Sequence, residues 1–468
     1  MKRFATRCML LASFLLTGLV SSTLPADDGG LSSHDVATLQ ESFRMDATTR
    51  LIYNAVTNGN VKDLALNRDV VQRDNSHYTH KIKTKGVTDQ KSSGRCWLFA
   101  SLNVLRPAVI EKHNLDGFEF SQCYLAFWDK MEKANCFLEY AIELGDRDPL
   151  DREVSLLLGQ PFPDGGWWSH TVHLIEKYGV VPKSIMPETN SSSSTHSMNH
   201  IIGRKLKLDA IKLREMRLAG KSVEKMRVAK RKMLAEVYRM LVVNLGEPPK
   251  EFSWRYVDQD SKLSEAKTYT PQRFYKEWVG VDLGDYFILC SDPSNPYGKH
   301  YQVRHSRTLY DRDDPHYVNV AIDVLKRVAI KSLLDDEPVY FGADVSNDQD
   351  GEHGIMALDV YDYGTLFGID LRMNKKQRLL SLEGAPGHAM VLIGVDLKDD
   401  KPVKWLVENS WGASRGNGGF WNLYDSCFDE HVYAVVVKKA YVPNKLLRIL
   451  DQPATVLPPW HPMMVLFK

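Results

Sequence analysis

The spacing of apolar residues changes period along this chain, and that change limits what it can fold into. From Cys96 onward, Phe99, Ala100, Val104 and Val109 recur as they would on a buried helix, which Pro107 is expected to kink or end. A second helix is expected over 122–143. Past residue 388 the chain breaks into short runs rich in Val, Ile and aromatic residues, at 389–395, 403–407, 419–424 and 433–437. Turn formers bound each run, so they read as β-strands. Helices first and antiparallel strands last imply an α+β protein with a cleft between the two parts.

Between these blocks, a serine run at 190–195 leads into a charged segment at 203–244, where Met233, Leu234, Val237, Tyr238 and Leu241 recur at helical spacing. Two helices are expected, broken near Gly220, with Ser222 as N-cap of the second and Pro248 and Pro249 closing it. The stretch 204–232 is basic. Acidic residues interrupt it and no aromatics interleave, so it reads as a solvated face rather than a nucleic-acid patch. Lysine plus arginine number 60 against 59 aspartate plus glutamate, which leaves no overall field to attract nucleic acid or an anionic membrane.

At the start, Lys2, Arg3 and Arg7 precede an apolar run at 9–20 and a small residue, Ala26. This is the layout of a secretory signal peptide over 1–26 and predicts export to the periplasm or medium. The alternative is an uncleaved N-terminal anchor. No later stretch is long and apolar enough to span a bilayer. Removal of the signal would take Cys8 with it and leave Cys96, Cys123, Cys136, Cys290 and Cys427, an odd, sparse set that does not suggest a disulfide framework. No zinc-type spacing is present, and neither a metal nor a cofactor is expected. Four of the five cysteines read as small buried apolar side chains.

Cys96 stands apart because of its surroundings, Gln90-Lys91-Ser92-Ser93-Gly94-Arg95-Cys96-Trp97. A helix starting at Cys96 directs its first N–H groups at the sulfur, which predicts a lowered thiol pKa and a nucleophilic thiolate. Gln90, six residues earlier, is placed to add a side-chain donor to the Cys96 N–H and complete an oxyanion hole. His388 opens a strand and can serve as the base. Asn409, in Glu408-Asn409-Ser410-Trp411-Gly412, can accept from the imidazole and fix its tautomer, with Trp411 shielding that bond. Each residue alone is unremarkable for its type; the order Gln, Cys, His, Asn carries the signal.

With these residues in that order the chain resembles the papain superfamily, and within it the bleomycin hydrolase (aminopeptidase C) family. The carriers are QKSSGRCWLFAS, DGGWW at 164–168, EKYGVVPKS at 176–184, NLGEPP at 244–249, PGHAMVLIGVD and ENSWG. The resemblance implies a papain-like fold: a helical domain at 76–190 with the catalytic cysteine, and a β domain at 331–440 with the histidine and asparagine. A helical insertion at 191–330 separates them, and arms at 27–75 and 441–468 flank them. It implies a cysteine aminopeptidase acting on peptides with a free N-terminus, through Cys96, His388, Asn409 and Gln90. It also implies that the glycine backbone of Gly165 and Gly166 pairs with extended substrate, where a β-carbon would push the peptide away. The C-terminal arm is expected to enter the cleft, so that the Lys468 carboxylate meets the substrate amine, and the assembly is expected to be a homohexamer. An endopeptidase with an open cleft, or a binding protein using the basic helices, are the competing readings.

Overall fold

The computed structural model describes residues 29–463; the signal assigned to 1–26 and the substrate-binding role assigned to Lys468 lie outside the described residues. The chain divides into two units, one ending at Leu64 and one running from Ala65. The described part of the first holds α1 (Ser33–Ser42), opened by a Ser32–Asp35 capping box, and α2 (Ala47–Asn58), whose N-cap Asp46 accepts from the Thr49 N–H. Neither helix has a buried residue. The arm expected over 27–75 is shorter than that, because Ala65 and Val70 belong to an apolar cluster with Ile355, Val360 and Tyr361 of the second unit.

In the second unit, α3 (Cys96–Lys112) is buried on every side, from Trp97 and Leu98 to Val109 and Ile110. Pro107 sits inside it without ending it; the ring removes one ladder donor, and burial of the flanking turns outweighs the loss. The next helix, α4 (Gln122–Glu143), is capped by Ser121, which accepts from the Tyr124 N–H at 3.0 Å. It too is buried around most of its circumference, carrying Lys130 and Lys133 inward with its apolar residues. After α5 (Trp168–Tyr178) come α6 (His196–Leu218) and α7 (Val223–Leu245). Gly220 takes a left-handed φ of 68° between them, and Ser222 caps α7. Ile202, Leu206 and Leu213 of α6 and Met226, Val237 and Leu241 of α7 join the main core, against α4.

Most strands form one mixed sheet, apart from a separate antiparallel pair, Phe252–Trp254 with Lys267–Tyr269. In chain order they include β1 (Tyr286–Cys290), β2 (Lys299–Val303), β3 (His316–Asn319), β4 (Val339–Ala343), β5 (His388–Lys398), β6 (Lys401–Glu408), β7 (Phe420–Tyr424), β8 (Val432–Lys438) and β9 (Thr455–Leu457). Their spatial order is β9-β2-β3-β1-β8-β4-β5-β6-β7. Two features depart from the sequence expectation. Residues 191–330 are not helical throughout, since β1, β2 and β3 leave that segment to join the sheet. The pairing is not antiparallel throughout either: β1 runs parallel to β3, and β9 to β2. Non-local ladders of this kind leave little trace in local periodicity.

The strand that matters most for the site is β5. Its first eight residues, from His388 to Val395, are all buried, because α3 and the helix Ile322–Leu334 pack against it. Burying Val391, Leu392 and Ile393 contributes roughly 1.5–3 kcal/mol each. Its register is fixed on both sides, His388 opposite Ala343 of β4 and Val391 opposite Glu408 of β6. That register carries the residue after β6, Asn409, level with the head of β5.

Candidate active site

A cavity of about 710 Å³ opens over the N-terminus of α3, and Gln90, Cys96, Gly165, Gly166 and His388 all line it. Residues from both ends of the sequence therefore meet there. Cys96 is partly exposed to this space. The backbone N–H groups of Ala389, Trp97 and Cys96 itself are directed at its sulfur. Ala389 follows His388, so the sulfur lies against the head of β5.

His388 is held from two directions. Its Nε2 lies 2.9 Å from Asn409 Oδ1, and Trp411 stacks on the ring at 4.7 Å between centroids. The Asn409 oxygen also accepts from the Ser410 N–H at 2.8 Å, which identifies that atom as the oxygen. Nε2 must then carry the proton, and Nδ1 is left with a lone pair. Asn409 Nδ2 is buried without a partner among the described residues.

Gln90 is positioned rather than free. Its backbone N–H donates to the Ser410 carbonyl at 2.8 Å, and its Oε1 accepts from Ser410 Oγ at 2.7 Å. Its Nε2 donates one hydrogen to the Ser93 carbonyl at 2.6 Å, which leaves the second on a residue that lines the cavity. Ser410 thus ties the Gln90 loop to the strand end that presents Asn409. A longer tie runs beneath: Arg106 of α3 and Glu408 form a buried ion pair at 2.6 Å, next to Asn409 in sequence.

Electrostatics differ from the expectation of a lowered thiol. Burial pushes the Cys96 thiol up, and the three N–H groups offset this only in part. Burial likewise lowers the His388 imidazole to about 4, against the raising effect of its bond to Asn409. The low-dielectric surroundings outweigh the helix terminus because they penalise any isolated charge. Burial therefore favours the neutral thiol and the neutral imidazole over an isolated thiolate or imidazolium.

The Asp164-Gly165-Gly166 loop is clamped from α4. Lys130 Nζ reaches Asp164 Oδ1 at 2.7 Å, and Lys133 Nζ donates to the Gly165 carbonyl at 2.7 Å. Asp164 also accepts from the Gly94 N–H, Thr195 Oγ1 and Asn199 Nδ2, and these partners with Lys130 hold its carboxyl far below the usual range. Among the described residues nothing hydrogen-bonds the Gly166 N–H or C=O. The structure gives a second reason for glycine at 166, beside the room for substrate expected there. A Cβ there would collide with the Trp97 indole, whose Nε1 donates to the Asp164 carbonyl at 2.9 Å. At Gly94 a Cβ would lie 2.7 Å from Asp164 Cβ, so two glycines let the loop before Cys96 and the 164–166 loop close on each other.

Sequence reasoning missed Lys130, Lys133, Arg106 and Ser410, whose positions on helix or turn gave no hint of their inward aim. The signal available was weak: two lysines three apart on a helix otherwise rich in apolar residues. The remaining cysteines behave as expected. Cys123, Cys136, Cys290 and Cys427 are free and buried, and burial pushes Cys123 and Cys136 up to about 12. No group of three or more His, Cys, Asp or Glu among the described residues could hold a metal ion, and no helix among them is long and apolar enough to cross a membrane.

The C-terminal segment approaches the same space. Met463 is fully buried in a cluster with Tyr433, Ala434 and Leu457, and Trp167 packs against it. Ala434 and Trp167 line the cavity.

Comparison with known proteins agrees with this arrangement. The chain is 38% identical to the bleomycin hydrolase of Rattus norvegicus over 449 residues, 93% of this chain and 99% of the relative. It is 39% identical to the aminopeptidase C of Lactobacillus delbrueckii subsp. lactis over 415 residues, 87% of this chain and 92% of the relative. The crystal structure of PepW from a Lactobacillus rhamnosus strain superposes with a TM-score of 0.90 at 39% identity, covering 93% of this chain and 98% of that one. The model of the Peptidase C1-like family matches residues 30–464, and the chain belongs to that family of papain-like cysteine peptidases.

Proposed function

We propose that this cysteine peptidase is an aminopeptidase in which Cys96, His388 and Asn409 form the catalytic triad and Gln90 completes the oxyanion hole. The observation that carries the reading is the bond from His388 Nε2 to Asn409 Oδ1, made while the sulfur of Cys96 rests against the N–H of Ala389. It leaves Nδ1 as the nitrogen available to take the thiol proton. The thiolate attacks the peptide carbonyl, and the Cys96 N–H and Gln90 Nε2 meet the oxygen as it gains charge. Protonated His388 then passes its proton to the leaving amine. Water, deprotonated by His388, hydrolyses the thioester.

Substrate with a free N-terminus is inferred from the relatives named bleomycin hydrolase and aminopeptidase C. The course of the C-terminal segment, whose Met463 packs beside Ala434 and Trp167, supports it. Lys468, to which the resemblance assigns contact with the substrate's ammonium, lies outside the described residues. Gly165 and Gly166 serve as the strand against which the peptide lies. We further read residues 1–26 as an export signal and the assembly as a homohexamer.

The test is cleavage of an aminoacyl amide and of its N-acetylated counterpart by wild type and Cys96→Ala. Cleavage of the free-amine substrate alone, abolished by Cys96→Ala in a protein with unchanged circular dichroism, supports the reading. Activity retained without the sulfur refutes it, and efficient cleavage of the acetylated substrate replaces it with an endopeptidase. N-terminal sequencing and native mass of the purified protein test export and assembly.

A further inference from the structure

One wall of the cavity takes no part in the chemistry above. His196, Asn199, His200, Gly203, Arg204 and Lys207 of α6 line it, spaced as a single helix face. His196, His200, Arg204 and Lys207 are exposed. Neither Arg204 nor Lys207 has an ion-pair partner among the described residues, whereas Lys205, on another face, takes both Asp209 and Glu236. Among the described residues Asp164 is the only carboxylate lining the cavity, and its two oxygens are occupied by Lys130, Thr195, Asn199 and the Gly94 N–H. The wall is therefore positive with no counter-charge of its own, inside a concavity that concentrates the field.

The wall begins beside the nucleophile. The Thr195 N–H donates to the Ser92 carbonyl at 3.3 Å, and Thr195 Oγ1 bonds Asp164 at 2.5 Å, so the head of α6 is fixed to both loops that flank Cys96. From His196 to Lys207 it extends about 16 Å at the helical rise per residue. His196 and His200 come first, with rings 6.5 Å apart, and the two cations stand behind them.

We propose that this wall makes the enzyme selective for an acidic side chain on the residue that supplies the scissile carbonyl. The inference rests on the aminopeptidase reading above. Gln90, Gly166 and the head of α6 line one cavity, so a residue whose carbonyl oxygen is held at Gln90 has the α6 wall within the space open to its side chain. A glutamyl carboxylate there accepts hydrogen bonds from the imidazoles and lies in the field of Arg204 and Lys207. A lysyl side chain meets repulsion from the same groups. These four side chains determine specificity and take no part in bond breaking.

The experiment compares kcat/KM for a glutamyl and a glutaminyl aminoacyl amide that are otherwise identical, at low and high salt. In wild type the glutamyl substrate is expected to be favoured about fivefold at low ionic strength, with the ratio falling toward one in about 0.5 M salt as the field is screened. Arg204→Gln with Lys207→Gln, and separately His200→Gln, should each lower the ratio. Equal rates on the two substrates by wild type at low salt overturn the proposal while leaving the aminopeptidase reading intact. A ratio that is favourable yet unchanged in both variants removes the assignment to this wall, and cleavage of neither substrate alongside cleavage of an alanyl amide overturns this proposal alone.

Discussion

Asn409 Oδ1 accepts from His388 Nε2 at 2.9 Å and from the Ser410 N–H at 2.8 Å, so one oxygen links the histidine to the rigid end of a strand. The second bond makes the first informative, since a backbone donor fixes which end of the amide faces the ring. Asn409→Ala should free the ring to rotate and to change tautomer. The expected result is a loss of about ten- to a hundredfold in kcat with the fold retained, by analogy with other groups that orient a reacting histidine. Steady-state kinetics alongside circular dichroism checks it, and a wild-type kcat would show that the bond positions nothing.

In the proposed oxyanion hole, Gln90 would offer its remaining amide hydrogen to charge that exists only after attack. Gln90→Ala should therefore lower kcat by about a hundredfold or more and leave KM little changed. A rise in KM with kcat intact would mean that Gln90 binds ground-state substrate instead.

The Arg106–Glu408 pair joins the helix that begins at Cys96 to the strand that precedes Asn409, and both side chains are buried. Burial pushes the Glu408 carboxyl up, and Arg106 pulls it back. Arg106→Leu strands the carboxylate and should destabilise the protein by about 3–5 kcal/mol in denaturant unfolding. Adding Glu408→Leu should recover most of that loss, because the cost lies in the orphaned charge. If the double variant is as unstable as the single, packing around the guanidinium rather than its charge is responsible.

The direction of each shift sets the pH profile. Acid adds a proton to His388 and removes the base, and with the imidazole lowered to about 4 this limb should lie near that value. Alkali removes the thiol proton, and with the thiol raised by burial this limb should lie above the usual 9.0. The profile of kcat/KM should be a broad plateau between the two, and a narrow bell centred near 6 to 7 would contradict it.

Local structure was legible where one physical cause dominated. The helix expected over 122–143 is α4 with those bounds, because a buried helix writes its apolar residues densely. The break near Gly220 and the Ser222 cap were equally readable, since left-handed backbone and an orphan N–H call for particular residue types. The reversal at β1, β2 and β3 was not legible, because strands joining a distant sheet carry no neighbouring pattern to declare it. Helix capping alone also misjudged Cys96, whose environment is set by how deeply the site is packed.

The sequence by itself determined the residue types at the site, their order and the elements that carry them, because periodicity, capping and glycine placement act over a few neighbouring residues. Tertiary structure alone decided that Lys130 and Lys133 grip the 164–166 loop, that Ser410 ties Gln90 to the strand end, and that burial rather than the helix terminus governs the sulfur. The first contact spans 32 positions and the second 320, both beyond the reach of local periodicity, and the third follows from how the packed elements surround the site.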